Sequence, residues 1–598
     1  MWRRSRRPAK MDAMPSALMD HYLSTWAEMT AQGAQFEMTD TEVRGIPMRV
    51  FAKAPPTMRF LWELAGGYAD RDYVVFEDER YTYAEMAVIV RALAQNLTEV
   101  HGVGRGDRVA ISMRNYPEWV ATYWATVSVG AAVVGMNAWW TTEEMEYGLS
   151  DSRPKVLIAD DERIERVLPI LDNLRATAPL HVISVRSDRA LPADCSRWSE
   201  VIIPSNAPEA LPAVEIDPDD DACIFYTSGT TGFPKGAQLT HRGSVHNVMN
   251  LAFMGLTAAA AEAKAKAAGD LVGKEMGDPV SGGAGQSVYM APTPLFHVTA
   301  NNCLLQPCTL VGGKIVLTYK WDPGRALELI ERERVTNFSG VPTMSRELIM
   351  HPDWDKRDTS SIQGMGGGGA ALQPDLVHKI DKSLKRGAPS TGYGLTETHG
   401  IITANASKFF IDKPTSCGRV VPVCDAKLID EDGNDIVPGP DARGELCVRG
   451  PIVVKGYLNR PEASAEAIVD GWFRTGDIAM IDEDGFVHLV DRAKDMVLRG
   501  GENVYSAEVE AAIYHHPAVA EAAVFGVPDD RLGEEVAVAL HLRPGAALSD
   551  EELRGFLGEH IAKHKIPRYV FVLDEPLPRN ANGKFLKRDL KERLIPTL

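Results

Sequence analysis

From about Arg59 to Asp491, short runs rich in Val, Ile and Ala recur between helix-length segments, and this alternation limits the fold more than any other feature. Arg108 to Ser112, Lys155 to Ala159, Ala222 to Tyr226 and Lys314 to Thr318 each have the apolar density of a buried strand. Such strands separated by helices build mostly parallel sheets flanked by helices, so a large α/β domain is expected. After Asp491 the pattern changes. Glu508 to His515 reads as a helix, Val536, Val538, Leu540 and Leu542 alternate as in a half-buried strand, and Ser549 with Glu552 forms a capping box that opens another helix. That stretch is long enough for a small, independent α+β domain. The expected division is a basic tail over residues 1–28, a large domain over 29–491 and a small mobile C-terminal domain over 492–598.

At 598 residues with 45% hydrophobic side chains, the chain has core material for more than one domain. Its 64 basic against 82 acidic side chains leave a net charge of -18, which argues against a nucleic-acid partner. An anionic substrate must therefore be held by local charge. Seven cysteines lie scattered without a C-x-x-C pair, as expected for packed thiols in a reducing, cytoplasmic setting. The basic start Trp2-Arg3-Arg4-Ser5-Arg6-Arg7 lacks a following apolar core and reads as a disordered tail or an upstream start, with Met11 or Met14 as alternatives.

Trp119 to Trp140 is uncharged and long enough to cross a bilayer. Gly130 divides it into a helix-like half beginning near Pro117 and a β-rich half around Ala132 to Val134, so core elements are expected and no transmembrane segment. Gly255 to Gly285 is rich in Ala, Lys and Gly without sustained apolar periodicity; it reads as a solvated loop or frayed helix, with a lid as the sharper alternative.

Five motifs carry chemistry. Tyr226 to Ala237 follows an apolar strand and sets Ser228, Thr230 and Thr231 among Gly229, Gly232 and Gly236, with Lys235 near its end. Glycines that tolerate positive φ bring amide N–H groups close to an anion, so the loop suits a polyphosphate. It departs from a P-loop because Gly236 stands where Ser or Thr would hold magnesium. In Ser390 to Glu397, Tyr393 is placed to stack on a base, Thr396 to reach a phosphate oxygen and Glu397 to hold Mg²⁺. Gly471 to Asp477 ends in a turn carboxylate suited to ribose hydroxyls, Asp491 to Asn503 is a charged junction, and Leu577 to Lys584 is a turn-rich loop presenting one lysine.

In this order and at these separations, the motifs resemble the AMP-forming adenylate synthetase superfamily, which includes acyl-CoA synthetases, luciferases and the adenylation domains of peptide synthetases. The resemblance runs from roughly Thr57 to the C-terminus, with the basic tail and the 255–285 segment as departures. It implies that ATP and a carboxylic acid give an acyl-adenylate and pyrophosphate, after which CoA takes the acyl group. Thr227, Ser228, Gly229, Thr230, Thr231, Gly232 and Lys235 would hold the β- and γ-phosphates, Thr396 the α-phosphate and Glu397 the Mg²⁺. Tyr393 would stack on adenine against a wall of Gly368 and Gly369, and Asp477 with Arg492 would grip the ribose. Lys584 would bridge the substrate carboxylate and the α-phosphate, His297 would gate the acyl pocket, Lys494 would be the hinge, and Gly500 and Gly501 would line the pantetheine channel.

The first expectation is an acyl-CoA synthetase. A free-standing enzyme that loads a carrier protein and a silent nucleotide-binding paralogue are the alternatives, and a homodimer is an option for its assembly. Phe296, Gly340 to Met344 and Gly366 to Gly369 are expected near the acyl group, where so many glycines imply a wide or elongated tunnel for a medium- or long-chain fatty acid or a bulky alicyclic or steroid-like one over acetate, with a small aromatic acid as the alternative.

Overall fold

The computed structural model describes residues 16–227, 234–271, 285–439, 442–492, 494–500, 502–579 and 584–597. Two compact units divide the chain: Met1–Asp425 with Val448–Phe473, and Ala426–Cys447 with Arg474–Leu598. The second unit thus takes residues on both sides of the 491/492 boundary expected from the sequence.

In the first unit, one sheet has the strand order Lys235–Thr240, Asp221–Thr227, Ala132–Gly135, Arg108–Ser112, Val156–Asp160, His181–Val185, Ser196–Arg197. All neighbours are parallel except the first pair. A second run of parallel strands joins Ala388–Tyr393, Gly364–Gly367, Asn337–Gly340, Val288–Ala291, Lys314–Leu317 and Asp72–Phe76. The four apolar runs singled out in the sequence are therefore central strands, matched to within a residue or two. The segment from Trp119 to Trp140 contains most of the helix Pro117–Ser128, a turn at Gly130 with φ +74°, and the strand Ala132–Gly135. Gly130 carries the reversal because a Cβ there would crowd Arg105 and Ile216. Among the described residues no helix is long and apolar enough to cross a membrane.

Two expectations for this unit fail. Residues 16–28, assigned to a basic tail, lie in the helix Ser16–Thr30, with Leu18, Tyr22 and Thr25 buried. Residues 255–268 are neither loop nor frayed: they complete the helix His241–Ala268. The two helices pack together, with Trp26 edge-on to Phe253 at 4.7 Å and Lys264 paired with Glu28 at 2.6 Å, while Tyr22 lies 4.9 Å from the ring of Phe409 in the helix Ser407–Asp412. The periodicity is there but is written in small residues: Met254, Ala258, Ala261 and Ala265 form one buried stripe at helical spacing. Residues 272–284, where a lid was an alternative, lie outside the described residues.

In the second unit, Gly533–Leu542 pairs antiparallel with Val519–Asp529 and parallel with Tyr569–Leu573. The helix Ser506–Tyr514 and the capping box of Ser549 and Glu552, opening Asp550–Gly558, form as expected. The strand is not half-buried, however. Val536, Val538 and Leu540 pack with Val509, Ile513, Leu553 and Leu557, while Ala537 and Ala539 pack on the other face with Leu590 and Leu594 of the helix Lys587–Leu594. Small alanines leave room for that second helix.

Candidate active site

The antiparallel pair that ends the first sheet sets Thr227 opposite Lys235, and the Thr227 hydroxyl donates to the Lys235 carbonyl at 3.4 Å. Of the phosphate-loop motif, Ser228, Gly229, Thr230, Thr231 and Gly232 lie outside the described residues; both feet of the hairpin are described. Gly236 lies in a strand without positive φ. Its glycine has a different cause: a Cβ there would stand 2.9 Å from Ile224.

The segment 455–458 runs along this hairpin. The Gln238 N–H donates to the Gly456 carbonyl at 2.9 Å, the Leu458 N–H donates to the Gly236 carbonyl at 2.8 Å, and Ala237 and Tyr457 form an antiparallel bridge. This places Tyr457 between two of the expected site residues. Its hydroxyl donates to Glu397 Oε1 at 2.9 Å, and the Lys235 ammonium lies 5.0 Å from its ring centroid, within reach of a cation–π attraction. Burial, and then the Glu397 charge, raise the phenol well above its ordinary pKa, so Tyr457 remains a donor.

Tyr393 ends the strand Ala388–Tyr393, and Thr396 and Glu397 follow in the short helical turn Thr396–Thr398. That turn is clamped. His399, at φ +58°, accepts from the Thr240 N–H at 2.7 Å through Nε2 and donates from Nδ1 to the Ile452 carbonyl at 2.7 Å. Burial lowers its pKa to about 3, so the neutral ring with its proton on Nδ1 fits both bonds. The Glu397 carbonyl accepts from the Val454 N–H at 2.9 Å, which ties the turn to the strand-like segment carrying Tyr457.

Thr391 donates to the Gly367 carbonyl at 3.1 Å, which seats Gly368 and Gly369 beside the Tyr393 strand. Gly366 and Gly367 do not widen a tunnel: a Cβ on Gly366 would stand 1.9 Å from the Ser390 carbonyl oxygen, and one on Gly367 2.5 Å from that of Gly340. They are glycines because neighbouring backbones press on them. His297 precedes a short helical turn and accepts from the Thr299 N–H at 3.3 Å. Buried Asn115 holds the preceding segment, donating to the Thr293 carbonyl at 2.9 Å and accepting from the Leu295 N–H at 2.9 Å.

In the second unit, Asp477 and Arg492 are directly opposed across an antiparallel pair, with Arg492 Nε 3.2 Å from Asp477 Oδ1. Asp477 is 5% exposed. Lys494 is exposed; the protein around it and then Arg492 lower its pKa against the pull of Asp495 and Asp477. Gly500 has φ +61° and donates its N–H to the Leu532 carbonyl at 2.7 Å, while Gly501 lies outside the described residues. Of the motif Leu577 to Lys584, residues 580–583 lie outside the described residues; Arg579 and Phe585, the chain neighbour of Lys584, form an antiparallel bridge, with the Arg579 guanidinium 4.0 Å from the Phe585 ring and paired with Glu521 at 2.8 Å.

Residues 61–458 match the AMP-binding enzyme family, and residues 508–584 match the AMP-binding enzyme C-terminal domain. The chain belongs to the AMP-binding enzyme family. It is 35% identical over 514 residues to a feruloyl-CoA synthase of Amycolatopsis sp, covering 86% of this chain and 94% of that protein. A long-chain-fatty-acid–CoA ligase of Bacillus subtilis (strain 168) is 32% identical, covering 89% and 93% respectively. Among solved structures, ATP-bound MatB from Rhodopseudomonas palustris superposes with a TM-score of 0.76 at 28% identity, over 90% of this chain and 99% of that one. These likenesses are consistent with an AMP-forming acid–thiol ligase.

For an AMP-binding enzyme, the donor set can be weighed against Mg²⁺. Among the described residues no group of three or more His, Cys, Asp or Glu is placed to hold a metal ion. Glu397 nonetheless fits, since Mg²⁺ commonly takes one or two protein carboxylates and completes its shell with water and phosphate oxygens. Tyr457 is the residue that sequence reasoning missed. It sits outside every regular element, and only its pairing with the hairpin brings it to Glu397.

Proposed function

We propose that this enzyme is an ATP-dependent acyl-CoA synthetase that activates a carboxylic acid as its acyl-adenylate and then passes the acyl group to CoA. The observation that carries the reading is the convergence of Lys235, Tyr457 and Glu397 at the foot of the glycine- and hydroxyl-rich hairpin. It supports a cation for the outer phosphates and a carboxylate for Mg²⁺, bridged by one tyrosine beside the edge strand Lys235–Thr240. Ser228, Thr230, Thr231 and Lys235 hold the β- and γ-phosphates, Thr396 the α-phosphate, Tyr393 with Gly368 and Gly369 the adenine, and Asp477 with Arg492 the ribose.

In the first step a carboxylate oxygen attacks the α-phosphorus, and the bond to the bridging oxygen breaks as pyrophosphate leaves with the electron pair. Mg²⁺ held through Glu397 supplies charge neutralisation at the phosphates. Lys584 stabilises the meeting of two anions, and its ammonium gains from both. In the second step the CoA thiolate attacks the acyl carbon and AMP leaves. For that step we place the functional boundary at 491/492, the hinge at Lys494, the pantetheine path beside Gly500 and Gly501, and the acyl-side gate at His297.

The acid is bulkier than acetate, and a medium- or long-chain fatty or alicyclic acid is the reading we favour. The long-chain relative supports it, while the feruloyl relative sets the competing arm. Acetate, octanoate, palmitate, a steroid acid and ferulate, each supplied with ATP, Mg²⁺ and CoA, should be scored for AMP and pyrophosphate. ADP and inorganic phosphate as products would overturn the reading, and a preference for ferulate would overturn the assigned acid.

A further inference from the structure

Arg44 stands where a hairpin least favours an arginine. The strands Met38–Val43 and Ile46–Phe51 pair antiparallel with Val43 opposite Ile46, so Arg44 and Gly45 make the whole turn, at φ +49° and +80°. Positive φ at both central residues selects Asn, Asp or Gly at the first of them, since a larger side chain crowds the following carbonyl. The guanidinium adds a second cost. Burial disfavours its charge, Asp219 offsets that only in part, and its buried Nη1 has no hydrogen-bond partner among the described residues. Nη2 donates to the Val453 carbonyl at 2.8 Å, the one hydrogen bond the guanidinium makes there.

The hairpin itself is held by other means. Val43, Met48 and Val50 form its buried face with Ile46 packed against them, Arg49 pairs with Asp425, and the Phe51 N–H donates to His246 at 3.3 Å. What the Arg44 bond reaches is a single peptide group. The carbonyl of Val453 and the N–H of Val454 belong to one planar amide, and that N–H donates to the Glu397 carbonyl at 2.9 Å. Arg44 therefore grips the oxygen end of the amide whose hydrogen end grips Glu397. A charged donor on the oxygen also polarises the amide and strengthens the bond its N–H makes. One residue back, the Ile452 carbonyl accepts from His399, and three residues on, Tyr457 donates to the Glu397 carboxylate. The hairpin lies before the stretch 61–458 that matches the AMP-binding enzyme family, so Arg44 supports the turn from outside that stretch.

We infer that Arg44 is a positioning residue for the adenylation step: through the amide joining Val453 to Val454 it fixes the turn Thr396–Thr398 and with it the Glu397 carboxylate, which rests on the proposed role of Glu397 at Mg²⁺. The cost of an arginine in that turn is then explained by what its side chain holds.

The test compares the full chain carrying Arg44→Asn or Arg44→Lys with wild type. Asparagine suits the turn better and removes the cation, so Arg44→Asn should melt within about 3 °C of wild type. Amide hydrogen exchange of Val454, read on peptides across 448–458, should nonetheless quicken about fivefold or more. In pyrophosphate exchange with a reactive acid, the Mg²⁺ concentration for half-maximal rate should rise about threefold or more while the KM for the acid stays within about twofold. The contact is a single one to a carbonyl, so Arg44→Lys, which keeps a cation, should recover most of both effects. Unchanged Val454 exchange or an unchanged Mg²⁺ requirement in Arg44→Asn, an Arg44→Lys enzyme no better than Arg44→Asn, or an Arg44→Asn chain that melts far below wild type would overturn the inference, the last by making Arg44 a requirement of the fold. A wild-type chain that releases no pyrophosphate with any acid would sink the proposed function instead, and the amide-exchange and melting results would still decide what Arg44 holds.

Discussion

The Tyr457 hydroxyl donates to the Glu397 carboxylate at 2.9 Å, from a segment 60 residues further along the chain. The Tyr457 ring meanwhile faces the Lys235 ammonium, so one side chain spans the cation and the carboxylate that the proposed function assigns to outer phosphates and Mg²⁺. Tyr457→Phe keeps the ring and removes the donor. A hydrogen bond to a charged acceptor contributes about 1.5–3 kcal/mol. The expected result is a loss of roughly tenfold or more in adenylate formation and a higher Mg²⁺ requirement, read by pyrophosphate exchange against Mg²⁺ concentration. An unchanged Mg²⁺ dependence would show that Tyr457 does not orient the carboxylate.

Lys584→Ala separates the half-reactions. A cation about 4 Å from a developing charge in a partly dry site contributes roughly 4 kcal/mol, so adenylate formation should fall about a thousandfold. Thioester formation from supplied acyl-adenylate should largely survive. Parallel loss of both activities would reject the assigned role.

Much of this architecture is legible in the sequence because buried parallel strands concentrate Val, Ile and Ala in short runs, and Arg108–Ser112, Asp221–Thr227 and Lys314–Leu317 are such runs. The turn at Gly130 and the box at Ser549 and Glu552 are legible for a related reason: each is a local device with a local cost. The buried alanine stripe of the helix His241–Ala268 is not, since small side chains give little apolar signal even where they are covered. At the site, Asp477 and Arg492 are visible as motif residues, but their direct opposition depends on strand register. Tyr457 gives no local signal at all. Gly366 and Gly367 mislead in the other direction, because a glycine that admits a neighbouring backbone looks in sequence like one that admits a ligand.

Acid should unfold the first unit earlier than its carboxylates alone would dictate. Buried His241, His246 and His399 each accept a backbone N–H, from Met58, Phe51 and Thr240, and burial lowers their pKa values to about 4, 4 and 3. Protonation converts each acceptor into a donor and breaks that bond. The unfolded chain therefore binds more protons below about pH 6.5, so this stability is complete above that value and is lost as pH falls toward the folded pKa values. The thermal midpoint should drop between about pH 7 and pH 5, and His246→Gln should narrow the drop. A midpoint that is flat over this window in the wild-type enzyme would contradict the account.

Neighbouring glycines should separate into packing and ligand-facing positions. Alanine at Gly366 or Gly394 would place a Cβ 1.9 Å from the Ser390 carbonyl oxygen or 1.7 Å from that of Gly400, and neither backbone can withdraw without parting paired segments. Each substitution should cost more than about 4 kcal/mol and sharply reduce the yield of folded protein. Gly368→Ala differs, since its Cβ would meet only the Gly392 carbonyl oxygen at 3.6 Å, an ordinary contact. That variant should melt within about 2 °C of wild type yet raise the KM for ATP several-fold, because the added methyl would stand on the proposed adenine wall. Calorimetry and ATP titration on the same preparations distinguish the two effects. A Gly368→Ala enzyme with unaltered ATP affinity would remove Gly368 from the nucleotide site, whereas a well-folded Gly366→Ala enzyme would show that the sheet can open where the packing says it cannot.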